Sequence, residues 1–173
     1  FQDRGLKGSV ELEYVFGEQG SGTLGVAGLP GDDAIPSDDP DTPFSEDRWA
    51  YWFQHQQPLG EGGSLGFDVN EISDNQYPLD FDDLPGTRNQ RFMSSSGWAT
   101  WAGRGLFAGV QAHVFDDLQS PNDLDRDDFL LQRLPQVDAA ALPRRLGGLP
   151  LRLGFDSRYT YFQQMDGSDQ LNF

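Results

Sequence analysis

Leu151-Arg152-Leu153-Gly154-Phe155-Asp156-Ser157-Arg158-Tyr159-Thr160-Tyr161-Phe162 alternates over its whole length. Leu151, Leu153, Phe155, Ser157, Tyr159 and Tyr161 fall on one side, and Arg152, Gly154, Asp156, Arg158 and Thr160 on the other. Successive side chains of a strand point to opposite faces, so this is a ribbon with one greasy and one wet surface. A half-buried strand of a soluble sandwich reads this way. So does a membrane-spanning barrel strand, which needs about ten such residues and carries aromatics near the membrane surface. A single strand leaves both open, and a series decides.

The series is present. Val10, Leu12, Tyr14 and Phe16 oppose Ser9, Glu11 and Glu13; Trp49, Tyr51 and Phe53 oppose Arg48, Ala50, Gln54 and Gln56, with Trp52 interrupting the polar side. Leu65, Phe67 and Val69 oppose Ser64, Gly66, Asp68 and Asn70. A fourth strand falls within residues 88–102, where Ser94-Ser95-Ser96-Gly97 has no clear face and suggests a bulge. Leu106, Ala108, Val110, Ala112 and Val114 oppose Gly109, Gln111 and His113. Val137, Ala139 and Ala141 oppose Gln136 and Asp138 in a sixth strand limited by Pro135. The opening stretch is the seventh. Between them, residues 17–47, 74–87 and 116–128 read as long acidic loops alternating with brief turns. A meander with all its long loops at one end is the arrangement of outer-membrane barrels. The expected fold is therefore all-β, an antiparallel meander of about seven strands forming part of a transmembrane outer-membrane β-barrel. An odd count leaves open edges, which in lipid cost unpaired backbone groups, so further strands outside the chain are expected.

Composition narrows the function classes. Lys plus Arg is 12 against 28 Asp plus Glu, a net charge of −16 that argues against nucleic-acid binding. Aromatic content of 13% argues against disorder, and 21 Gly with 11 Pro favour many turns. With no cysteine, this stretch holds no disulfide, zinc-thiolate site or thiol nucleophile. There is no apolar run of the roughly 18 residues a spanning helix needs, and no signal-peptide pattern at the start. Beginning at Phe1 rather than Met, the chain is expected to be processed or part of something longer. Negative mean hydropathy does not weigh against a barrel, since every second residue faces away from lipid.

Arg48-Trp-Ala-Tyr-Trp-Phe-Gln-His-Gln-Gln57, then Ser64-Leu-Gly-Phe-Asp-Val-Asn-Glu-Ile-Ser-Asp74 with Tyr77 beyond, resembles early barrel strands of the lipopolysaccharide-assembly family LptD, also called organic solvent tolerance protein. Arg4-Gly5-Leu6-Lys7-Gly8, Thr87-Arg-Asn-Gln-Arg-Phe92 and Arg133-Leu-Pro-Gln-Val-Asp138 are similar to further pieces of that family, in order. The resemblance covers nearly the whole segment, so residues 1–173 are expected to be part of one barrel domain. It implies a place in the outer membrane of a Gram-negative bacterium and a role in inserting lipopolysaccharide into the outer leaflet. It also implies an LptE-like plug lipoprotein in the lumen and an LptA-like periplasmic bridge protein docked on an N-terminal periplasmic domain outside this chain.

Such transport breaks no bond, so neither enzyme activity nor a cofactor is expected. Glu11, Glu13, Asp68, Asn70, Gln111, His113, Asp138, Asp156 and Arg158 are expected to face the lumen, where they solvate the interior or touch the plug or cargo. Asp123-Leu-Asp-Arg-Asp-Asp128 lacks the glycine and terminal glutamate of a calcium loop and reads as a hydrated surface. His55 and His113 have no metal-ligand spacing. Two rivals stand beside the barrel. One is a glycosidase pairing Asp68 with Asp138 or Asp156. The other is a soluble acidic β-sandwich presenting Trp49, Trp98 or Trp101 to a carbohydrate.

Overall fold

A computed structural model describes residues 4–17, 19–33, 47–84, 90–118 and 130–164. The strands are β1 (Gly8–Phe16), β2 (Gly20–Leu29), β3 (Arg48–Leu59), β4 (Gly63–Ile72), β5 (Phe92–Gly103), β6 (Leu106–Asp117), β7 (Leu131–Arg145) and β8 (Arg152–Gln164), with one short helix, α1 (Tyr77–Asp80), between β4 and β5. They form one eight-stranded sheet in which every strand pairs with its sequence neighbour, antiparallel throughout. The sheet does not close, since β1 and β8 are its two ends. The described residues form no second sheet.

Eight strands replace the expected seven, because residues 20–29 form β2 where a continuous loop was expected over 17–47. Gly20, Gly22, Gly25 and Gly28 blank out the two-residue period that would have marked it. The pairing explains these glycines. Gly22 stands opposite Tyr14, and Gly25 opposite Trp52. A Cβ at either position would overlap the ring lying across it. The strand gives up its own side chains to seat the rings of its neighbours.

The extra strand also reverses β1, which runs parallel to β3 rather than antiparallel to it. The sorting of connections survives this change. Residues 17–19, 60–62, 104–105 and 146–151 make the brief turns, and residues 30–47, 73–91 and 118–130 make the long connections, so all three long ones leave the same rim. The inference of missing strands rests on the two open edges and no longer on an odd count.

Tracing the register across the strands separates two faces. Val10, Leu24, Val26, Tyr51, Phe67, Trp101, Val110, Val137, Phe155 and Tyr159 fall on one, all of them exposed. The other face is polar. Pro135 sits where β7 shifts register against both neighbours, at His113/Gln111 on one side and Arg133/Gln136 on the other. A residue without an N–H belongs at such a break in the ladder. Near Ser94-Ser95 the pairing of β4 and β5 stops at Asp68↔Ser96, and the Ser95 hydroxyl both accepts from the Asn70 N–H and donates to its carbonyl.

Candidate functional site

The polar face is built from rows of residues standing side by side on neighbouring strands. Glu11 is opposite Gly25, which is opposite Trp52, which is opposite Asn70. Gln54, Asp68, Ser96 and His113 make the next row, and Gln56, Gly66, Trp98, Gln111, Gln136 and Thr160 the one after. Asp138 and Arg158 stand opposite each other, as do Ala140 and Asp156. All nine residues singled out from the sequence, with Glu13 following Glu11 by two, therefore share this one face.

They do not form one cluster. Asn70 donates to Asp68 (3.0 Å), and Asp138 accepts from Arg158 (2.6 Å) and from Gln136 (2.9 Å). Glu11 accepts from the indole N–H of Trp52 (2.9 Å), and the His113 ring lies along Phe115. Asp156 and Arg158 lie on β8 and Glu11 and Glu13 on β1, at opposite ends of the sheet. Asp68 on β4 is three strands from Asp138 on β7 and four from Asp156. At about 4.8 Å per strand, Asp68 and Asp138 are roughly 14 Å apart before any offset along the strands. The two carboxyls of a glycosidase stand about 5–9.5 Å apart, so neither pairing has that geometry.

Sequence reasoning missed a second assembly, at the rim of the long connections. Residues 73–84, including α1, fold back as a strap over the polar face. Tyr77 and Leu84 bury against Ala27, Ala50, Trp52, Met93 and Leu118, with Ile72 and Phe81 alongside. Arg48, the first residue of β3, pins the strap. Its guanidinium gives two nitrogens to Asp74 (3.1 and 2.9 Å) and a third to Asp32 (3.3 Å) and Asp80 (2.5 Å). The Arg48 side chain is 1% exposed and that of Asp32 is 0% exposed, so these charges are out of water and depend on one another. Arg4 adds a second cation to Asp80 (3.3 Å). Lys7 bonds Asp83 (2.5 Å), which also accepts from the Tyr77 hydroxyl (2.7 Å). Arg4, Lys7 and Arg48 all face the ring of Phe81, at 5.7, 5.0 and 5.0 Å from its centroid.

These contacts set the ionisation of the strap. Burial opposes a charge on Asp80, but the bonds from Arg48 and Arg4 outweigh it and hold its carboxyl below the usual aspartate range. Burial, then the Asp83 carboxylate, pushes the Tyr77 hydroxyl up, so it remains a donor. Asp32 lies ahead of β3 and Asp74 and Asp80 in the strap after β4, a spread that in an acid-rich chain hides the assembly from a sequence scan; Arg48, Asp74 and Tyr77 nonetheless lie inside the stretches quoted above for their family resemblance. Among the described residues no group of three or more His, Asp or Glu is placed to hold a metal ion. The acidic run at residues 123–128 lies outside the described residues.

Residues 46–171 match the family described as LPS transport system D, LptD. The chain is 29% identical over 161 residues to the LPS-assembly protein LptD of Cupriavidus necator, covering 93% of this chain and 18% of that protein. It is 30% identical over 172 residues to that of Ectopseudomonas mendocina, covering 95% and 18%. Against one from Vibrio vulnificus it is 27% identical over 169 residues, covering 96% and 20%. It spans about a fifth of the length of these curated relatives.

Proposed function

Because this chain belongs to the LptD family, we propose that its eight strands are part of the wall of an outer-membrane β-barrel that transports lipopolysaccharide and inserts it into the outer leaflet. The observation that carries this reading is the uncovered apolar face of a single sheet, running from Val10 on β1 to Tyr161 on β8. A contiguous exposed greasy face is what soluble monomers avoid, whereas acyl chains cover it at no cost. Strands of 9 to 15 residues supply the roughly nine to eleven needed to cross a bilayer at a tilt. On the apolar face Trp49 and Tyr51 stack near the rim of the long connections, and Trp101 lies near the opposite rim, as membrane-surface aromatics do.

In this reading the polar face lines the lumen. Glu11, Glu13, Asp68, Asn70, Gln111, His113, Asp138, Asp156 and Arg158 then keep the interior wet, so the sugar and phosphate head of the cargo passes without being dehydrated while its acyl chains stay with lipid. The wall acts by solvation and shape, with no bond made or broken, so the role is non-catalytic. The long connections face the cell exterior and the brief turns the periplasm. An LptE-like lipoprotein is the proposed plug of the lumen, and an LptA-like bridge protein the proposed donor of cargo, docking on a periplasmic domain outside this segment.

Depletion of the full-length protein in its host tests the function. Newly made lipopolysaccharide should fail to reach the cell surface, as read by its access to an external protease-free labelling reagent. Undiminished arrival at the surface would contradict it.

A further inference from the structure

Resting on the transport reading above, we propose that Trp98 and its neighbours form a saccharide-binding subsite on the polar face. Trp98 on β5 stands opposite Gly66 on β4, and a Cβ at residue 66 would overlap the six-membered ring of the indole. The ring therefore lies against the glycine backbone, half-buried, and borders a depression. The depression measures about 610 Å³, and its lining on this face includes Glu13, Val15, Gln54, Gln56, Asp68 and Trp98. Small-molecule sites usually measure about 300–1,000 Å³. Gln56 is opposite Gly66, and Gln54 is opposite Asp68, so the amides stand in rows beside the indole. Both glutamines are exposed and offer donors and acceptors together.

A pyranose ring has an apolar C–H face and a rim of hydroxyls. A flat indole covers the first, and amides and carboxylates bond the second. Glu13 and Asp68 repel a phosphate, and the amides and carboxylates on either side of the indole match a rim of hydroxyls, so the chemistry selects a neutral stretch of sugar. Trp52 lies in the same way over Gly25, but it is buried beneath the strap and bonded to Glu11, which leaves Trp98 as the open platform.

The test is calorimetric titration of the purified full-length protein in detergent with a delipidated, phosphate-free core oligosaccharide. The wild-type protein should bind, and Trp98→Ala should weaken binding by about tenfold. Trp98→Phe should retain most of the affinity, Gln56→Ala should lose part of it, and Trp101→Ala, on the opposite face, should leave it unchanged. Heat-modifiable migration on a gel reports whether each variant is an assembled barrel. If Trp98→Ala fails to assemble, Gln56→Ala decides, and unchanged binding there overturns the subsite. Absence of binding by the wild type, or equal affinities of assembled Trp98→Ala and Trp101→Ala, overturns it too. The readout needs no transport, so failure here is distinct from the normal arrival of lipopolysaccharide at the surface that would refute the function.

Discussion

A single guanidinium, that of Arg48, ties together three aspartates from two segments of the chain, Asp32 ahead of β3 and Asp74 and Asp80 in the strap. Removing one partner of a buried ion pair typically costs about 3–5 kcal/mol, because the opposite charge is left without water or counter-charge. Arg48→Ala should release the strap at residues 73–84, detected as faster limited proteolysis there, and Arg48→Lys should rescue only part, since an ammonium cannot bond Asp74 through two fixed nitrogens. Acid should act in the same direction. A carboxyl held below its ordinary value, as at Asp80, stabilises the fold fully above the unfolded value and loses that contribution as pH falls through the lower folded one. Faster cleavage of the strap should therefore begin only below about pH 4; acceleration already at pH 6 would contradict the assignment. Adjacent residues on β6 separate the two faces. Val110→Arg should block assembly, because a charge on the lipid face at mid-bilayer costs roughly 2–4 kcal/mol, while Gln111→Arg should assemble normally. Equal tolerance of both would refute this facing.

At the scale of strands, alternation made six of the eight legible, a seventh was placed within residues 88–102 without a clear face, and the eighth was hidden by the feature that lets it pair. Glycines read as loop when taken alone. They read as strand only when the ring opposite each is known, and that ring is 8 residues from Gly22 (Tyr14) but 27 from Gly25 (Trp52). The same long-range pairing explains why Trp52 interrupts an otherwise polar row: it fills the space that Gly25 leaves. Gly25→Val should thus impair assembly, and adding Trp52→Ala should restore part of the loss, measured as the heat-modifiable fraction of each variant. An additive effect of the two substitutions would show that the ring and the missing side chain are not partners. The strap was illegible for a related reason. Its acids were visible, but in a chain with 28 of them nothing local marks the three that meet one arginine.

For the molecule as a whole, everything turns on which solvent each face of the sheet meets. Sorting of the connections and alternation of the strands both survive the change from seven strands to eight, because each depends on local pattern and not on the count. The nine polar residues picked from sequence share a face for the same reason: two-residue periodicity fixes sidedness within a strand, and antiparallel register carries it from one strand to the next. What periodicity cannot supply is how many strands separate two residues of one face, and Asp68 and Asp138 agree in face yet lie three strands apart. The most direct test is a spin-label scan of residues 106–117 in the full-length protein reconstituted in liposomes. Collision with oxygen, which concentrates in lipid, should peak at Leu106, Ala108, Val110, Ala112 and Val114, and collision with a water-soluble nickel complex at Phe107, Gly109, Gln111 and His113. Labels at Val110 and Leu106 shielded from both agents, as they would be against a second sheet, would contradict the account.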